Sequence, residues 1–360
     1  MQNAFLRISM WILGVSACFG NIFVIFLRLT EKNKHSSKAV HSFLVFNLAV
    51  SDFMMGCYML ILASVDVYYG DRYFEHSDAW RSSGLCRFAG FISLLSSEGS
   101  VFFITIITID RFLCIIFPFS QFHLRYTSVR VVVGLSWVFA IVLSLVPTLY
   151  ADPESDLYDL SDVCIGLPLI TRPTDFTTQK QDVGGPDSGG KSFDLPVATG
   201  TKPAWIFSIV IFLGVNVVCF TIIAVCYTII FIKVKLSLKE VKRKMGMAEE
   251  IKMAAKMAVI VGTDFVCWIP IVIMGILAQT GAAVIPLQMY TWSVVFILPV
   301  NSSLNPYLYT ISSAYAERKR EQSQSMRMQS MNHSQTGVAV GKAKTYASDN
   351  TMHSVMDAPD

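Results

Sequence analysis

The stretch Val131–Leu149, "VVVGLSWVFAIVLSLVPTL", runs for 19 residues without a charged side chain. A helix rises 1.5 Å per residue, so about 20 residues cross a hydrocarbon core ~30 Å thick. Lipid offers the backbone no hydrogen-bond partners, so such a run must satisfy itself as a helix. Six further runs are apolar and long enough to span: Ile8–Leu27, Val40–Ala63, Phe88–Ile109, Trp205–Ile232, Ala254–Leu277 and Ile285–Ile311. Strands of a membrane barrel would be shorter and alternate with polar residues. Only 15% of the 360 residues are charged and 53% are hydrophobic, against roughly 25% charged in soluble domains. The reading is an all-α fold, a seven-transmembrane helix bundle. With their flanks the spans fall at about 5–28, 40–69, 84–117, 128–149, 204–234, 248–279 and 286–310.

Orientation follows from lysine and arginine. Arg28, Lys32, Lys34 and Lys38 follow span one, Lys233 to Lys244 fill the connection from span five to span six, and Arg318, Lys319 and Arg320 follow span seven. The opposite side is acidic: Asp152, Glu154, Asp156, Asp159 and Asp162 follow span four. The expectation is a multi-pass plasma-membrane protein with the N-terminus extracellular and the C-terminus cytoplasmic. The net charge of +3 reflects this asymmetry and is no sign of nucleic-acid binding. The first run is long for the apolar core of a signal peptide and has its basic cluster after it, so it is read as a true span.

Of eight cysteines, six fall within or at the ends of spans and read as small apolar packing residues. Cys86 and Cys164 fall on the outer, oxidising side. A disulfide tying the loop after span four to span three is the natural inference; two free thiols are the alternative. That loop runs from about Tyr150 to Lys202, and its Gly-, Pro-, Asp- and Ser-rich centre "QDVGGPDSGGKS" at Gln181–Ser192 is expected to be flexible. After Tyr309, residues 312–322 read as a short amphipathic helix on the cytoplasmic membrane face. Residues 1–322 then form the seven-span bundle domain, and 323–360 a disordered cytoplasmic tail.

Three acids lie within the hydrophobic depth: Asp52, Glu98 and Asp264. Each costs a few kcal/mol there and is expected to face the bundle interior. No lysine or arginine lies at comparable depth; Lys256 is near the inner end of span six. A proton, a small cation or hydrogen bonds must therefore neutralise them. Ser51, Ser100, Asn301, Ser302 and Asn305 supply hydroxyls and amides at similar depth. Such an oxygen-rich cage suits Na⁺ or a water network, and it is equally consistent with a purely structural hydrogen-bond cluster.

"GN" at Gly20-Asn21, "NLAVSD" at Asn47–Asp52, Cys86, "DRF" at Asp110–Phe112, Trp137, Cys164, "CWIP" at Cys267–Pro270 and "NPYLY" at Asn305–Tyr309 occur in order along the spans. Together they resemble a rhodopsin-like (class A) G-protein-coupled receptor over about residues 5–322. "FLGVN" in span five, "GTDFVCWIP" in span six and "FILPVNSSLNP" in span seven are similar to the leucine-rich-repeat branch, the relaxin and glycoprotein-hormone receptors. The resemblance implies roles. Asp52, Ser100, Asn301 and Asn305 correspond to a sodium pocket, with Asp52 and Ser100 the candidate Na⁺ ligands; no other cofactor is expected. Trp268 corresponds to a rotamer switch, and Pro270 to a kink that frees the carbonyl of Val266. Tyr227 and Tyr309 correspond to residues that rearrange on activation. Asp110 and Arg111 would pair, with Glu250 joining in the resting state, and Phe119 would enter a pocket on the G protein. Asp264 and Trp268, four residues apart, share a helix face; Asp264 would latch span six to the amides of span seven.

The implied function is a receptor that passes a peptide or protein hormone signal to heterotrimeric G proteins, raising cAMP, with receptor kinases, arrestin and membrane lipids as further partners. The chain itself is no enzyme. Ser93 stands where an amine receptor carries an acid, and span seven has no lysine for retinal. Relatives in this branch capture hormone with a large ectodomain, whereas here span one begins within the first ten residues and no repeat precedes it. The alternatives are a non-signalling receptor or heteromer partner, and an ion or proton transporter using the three acids as a relay.

Overall fold

The structure, a computed structural model, describes residues 4–30, 36–118, 124–150, 163–164, 171–182, 192–203, 210–241, 245–280 and 292–308, with 282 and 289 besides. The helices are α1 (Ala4–Thr30), α2 (Ser36–Tyr69), α3 (Tyr73–Arg81), α4 (Gly84–Ile116), α5 (Tyr126–Tyr150), α6 (Val217–Val241), α7 (Met245–Gln279) and α8 (298–308). Two are entered through wide π-helical turns, α6 from Val210–Asn216 and α8 from Ser293–Ile297. Among the described residues six helices are long and apolar enough to cross a membrane; α8 with its π-helical lead is the seventh run expected from the sequence. The amphipathic helix and tail expected at 312–360 lie outside the described residues.

The helix α4 holds the bundle together. It packs against α2, α5, α6 and α7, and it is buried along most of its length. Its inward face is small and hydroxylated: Ser93, Ser96, Ser97, Gly99 and Ser100 are all buried. Helices in lipid gain little from apolar burial against one another, so close backbone approach and hydrogen bonds must hold them. Ser51 of α2 donates to the carbonyl of Ser96 at 2.8 Å, and Ser96 donates back to the carbonyl of Ser51 at 2.7 Å. Gly99 lies over this exchange, since a Cβ there would stand 2.6 Å from Ser51 Oγ. Large apolar side chains point outward instead: Phe19 is 71% exposed, Val266 70% and Leu135 64%. This pattern fits a bundle whose solvent is hydrocarbon.

Two elements on the outer side go beyond the expected spans. Gly70 adopts the left-handed conformation at φ +51 and turns the chain from α2 into α3. Trp80, 2% exposed, anchors α3. Ser83 then caps α4 by accepting from the backbone N–H of Cys86 at 3.1 Å, which satisfies one of the free donors at the helix start. In the long outer loop, Thr171–Asp182 and Ser192–Pro203 pair antiparallel, from Thr171↔Pro203 to Asp182↔Ser192. The pairing takes in only Gln181, Asp182 and Ser192 at the edges of the centre expected to be flexible. The Gly-rich centre, 183–191, lies outside the described residues. The bundle itself is all-α.

Backbone contact distinguishes the glycines. Gly56 of α2 approaches the backbone nitrogen of Cys18, and a Cβ would stand 2.8 Å from it, whereas nothing lies within 4 Å of a Cβ at Gly262. Gly56→Val and Gly99→Val are expected to destabilise the bundle by about 1–3 kcal/mol through overpacking. Gly262→Ala is expected to be neutral or slightly stabilising. Thermal unfolding of the purified variants in lipid nanodiscs checks this ordering.

Candidate functional site

Asp52 is fully buried on α2 and accepts three hydrogen bonds. Ser100 of α4 donates to Oδ1 at 2.9 Å, Ser302 of α8 donates to the same oxygen at 2.9 Å, and Asn305 Nδ2 donates to Oδ2 at 2.8 Å. One acid thus joins three helices. Of the four residues expected together from the sequence, the structure brings Asp52, Ser100 and Asn305 into contact. Ser302 takes the place expected of Asn301, because successive helical residues point about 100° apart and only one can face α2.

Asn301 instead faces α7, where its Nδ2 donates to Oδ1 of Asp264. Asp264 is 1% exposed. The contact between spans six and seven read from the sequence is present, carried by Asn301 alone, since Asn305 is engaged by Asp52. Three oxygens in this region, Asp264 Oδ2, Asn301 Oδ1 and Asn305 Oδ1, are buried without a hydrogen-bond partner. Hydroxyls of Ser100 and Ser302 keep free lone pairs even while donating. Carboxylate, amide and hydroxyl oxygens gathered in this way form a hard donor set that fits Na⁺.

One turn beyond Asp264, Trp268 is 4% exposed and meets Phe220 of α6 with ring centroids 5.8 Å apart. Pro270 lies inside α7 and removes one rung of its ladder. At the inner end of α4, Arg111 is completely buried and donates from Nε to Asp110 Oδ2 at 3.1 Å, with Nη2 donating to the same oxygen. Tyr227 of α6 packs beside them on Ile115 and Ile230. The side chain of Glu250, and Phe119 and Tyr309 entirely, lie outside the described residues.

On the outer side Cys86 and Cys164 form the expected disulfide, with Cα atoms 5.3 Å apart. Tyr58 of α2 donates to the carbonyl of Val163 at 2.6 Å beside it. Cys164 is held in the left-handed region at φ +46, a conformation an ordinary side chain adopts only when its surroundings impose it.

Sequence reading missed several polar partners. Asn216 donates to Glu98 Oε1 at 3.2 Å. Trp137 donates to Asn47 Oδ1 at 3.0 Å, joining α5 to α2. Asn21 donates to the carbonyls of Ala17 at 2.9 Å and Ser302 at 3.0 Å, fastening α1 to α8. Arg7 pairs with Asp66 at 2.7 Å. The available signal was polarity at hydrophobic depth; partner identity was not in it.

One family model matches most of the chain: the 7 transmembrane receptor (rhodopsin family) model fits residues 20–174 and 192–309. The chain belongs to the rhodopsin family of seven-transmembrane receptors. It is 36% identical over 355 residues to "G-protein coupled receptor GRL101" of Lymnaea stagnalis, covering 98% of this chain and 28% of that protein. It is 31% identical to the relaxin receptor 2 of Canis lupus familiaris, covering 89% of this chain and 40% of that protein. Over 88% of this chain and 36% of the other, it is 30% identical to the thyrotropin receptor of Sus scrofa. These are relatives from the branch expected from the motifs of spans five to seven. The receptor chain therefore spans well under half the length of the curated relatives named here.

Proposed function

We propose that this receptor passes an extracellular peptide or protein hormone signal to a heterotrimeric G protein at the plasma membrane. The observation that carries the reading is the fully buried Arg111, held by the neighbouring Asp110 at the inner end of the central helix. A buried guanidinium on its own would be costly. Its pairing makes the inner end of α4 a place with two alternatives: Arg111 held by Asp110, or released toward a partner that docks there. The names of the relatives, a G-protein-coupled receptor and receptors for relaxin and thyrotropin, support the same reading. The basic inner loops and acidic outer loop support an extracellular N-terminus and cytoplasmic C-terminus. Coupling to cAMP production, phosphorylation of tail serines and threonines by receptor kinases, and arrestin binding complete the proposal.

In this reading the Asp264–Asn301 contact holds α7 and α8 in the resting packing, and an outer stimulus needs only to bind the other packing better. Asp52, Ser100, Asn301 and Asn305 would hold a sodium ion, which would supply Asp52 with a countercharge. Asp52 also receives Ser302 and Asn305 from α8, so the same cluster biases the same helix.

Arg111→Ala is expected to abolish receptor-stimulated nucleotide exchange on purified G protein at equal surface expression; unchanged exchange would show that the inner end works by other residues. Asp264→Ala removes a hydrogen bond worth about 1–2 kcal/mol, so basal signalling should rise roughly five- to thirty-fold. Basal cAMP at matched surface density measures it, and an unchanged or lower value sinks the latch. Replacing choline by sodium should raise the unfolding midpoint of the purified parent and leave Asp52→Asn unmoved. An equal response in both would remove sodium from Asp52.

A further inference from the structure

Cys18 of α1 and Cys57 of α2 lie inside the apolar runs Ile8–Leu27 and Val40–Ala63. Their thiols are hydrogen-bonded to each other across the seam between the two helices. The backbones meet at the same place. A Cβ added at Gly56, the neighbour of Cys57, would stand 2.7 Å from Cys18 Sγ and 2.8 Å from the Cys18 backbone nitrogen. One turn further out, a Cβ at Gly14 would stand 3.0 Å from Leu60 Cδ2. Gly14, Ala17, Cys18 and Asn21 are all buried, and their spacing puts them on one face of α1. That face is pinned at both ends. Arg7 pairs with Asp66 of α2 on the outer side, and Asn21 donates to the carbonyl of Ser302 on the inner side. With α1 unable to slide or roll, the two sulfurs stay in register. Disulfides span Cα separations of roughly 4.4–6.8 Å, and helices in backbone contact are that close.

We propose that Cys18 and Cys57 form a modification site, where a hydroperoxide carried in the lipid oxidises the pair to a disulfide that staples α1 to α2. Cys57 is partly exposed and Cys18 is buried, so Cys57 reacts first. Its sulfur takes the terminal oxygen of the hydroperoxide, the O–O bond breaks, and the thiol proton leaves with the alkoxide as an alcohol. The Cys18 sulfur then attacks the sulfenic sulfur of Cys57. The S–S bond forms, and hydroxide leaves with the Cys18 proton as water. The two sulfurs lose two electrons and the hydroperoxide gains them. An accessible thiol beside a resolving one ends in a disulfide rather than in higher oxidation. The depth of the pair selects the oxidant, because charged reagents stay in water and an uncharged hydroperoxide dissolves in hydrocarbon. It excludes charged reductants such as glutathione for the same reason, so the staple persists once formed. In the oxidised chain α1 moves only with α2, the helix that carries Asp52.

Peptide mass spectrometry of the full chain in nanodiscs of saturated phosphatidylcholine tests this. The parent is treated with cumene hydroperoxide, its remaining thiols are alkylated after denaturation, and protein of monomer size is digested without reductant. The expected product is a linked pair of peptides carrying Cys18 and Cys57, two hydrogens lighter than their sum and separated again by a phosphine. Cys18→Ser removes the resolving thiol, so Cys57 should then be trapped as its sulfenic acid by dimedone. Cys57→Ser should leave Cys18 alkylatable. Cys18 and Cys57 both remaining alkylatable in the treated parent overturns the proposal. So does Cys57 passing to sulfinic acid with Cys18 unlinked, which would mean that the two sulfurs cannot close to a bond.

Discussion

A carboxyl group in hydrocarbon has no water to turn to, and Asp52 meets this constraint by accepting from Ser100, Ser302 and Asn305. Those donors come from α4 and α8, so satisfying one side chain decides how three helices stand. The consequences spread from there. The faces of α2 and α4 that meet must be small, which is why Gly99 lies over Ser51 and why Ser51 and Ser96 exchange hydrogen bonds. Asn47, on the same helix as Asp52, is then placed to receive Trp137 from α5. Asn21 reaches the carbonyl of Ser302 and fastens α1 to the helix that Asp52 already holds.

The bundle is thus held by many modest polar contacts rather than by a single apolar core. Each neutral hydrogen bond contributes about 1 kcal/mol, and lipid replaces apolar side-chain contacts nearly as well as another helix does. Such a structure can exchange one set of contacts for another at small cost. The division of labour on α8 illustrates it. Asn305 and Ser302 face Asp52 on α2, while Asn301 faces Asp264 on α7. A rotation of α8 that weakened one set would strain the other. The two acids therefore hold one helix from two sides.

Much of the candidate site is legible in the sequence. Asp52, Glu98 and Asp264 stand out because an acid in a 20-residue apolar run is costly and must face inward. Cys86 and Cys164 stand out because the other six cysteines fall within or at the inner ends of the apolar runs, and the two form the disulfide. Asp264 and Trp268 share a face because four residues make about one helical turn. Choosing between Asn301 and Ser302 as the partner of Asp52 is beyond the sequence. They are adjacent, both polar and both buried, and only the rotation of α8 about its axis separates them. That rotation follows the π-helical turn at Ser293–Ile297, and the apolar pattern there carries no mark of a widened turn. Asn216 escapes notice for the same reason, since it sits at the end of the other such turn.

By itself the sequence determined the number of spans, their order, the disulfide and the acids that must turn inward. All of these follow from local rules: the length of a helix against the thickness of hydrocarbon, the place of two cysteines outside the apolar packing, and the cost of a lone charge. Only the tertiary structure decided which donor meets which acid, that α4 is the helix most others rest on, and that the flanks of the outer loop pair as strands. Those choices depend on the rotation and separation of elements far apart in the chain. A hydrogen bond of about 3 Å discriminates between neighbours that polarity and periodicity leave equivalent.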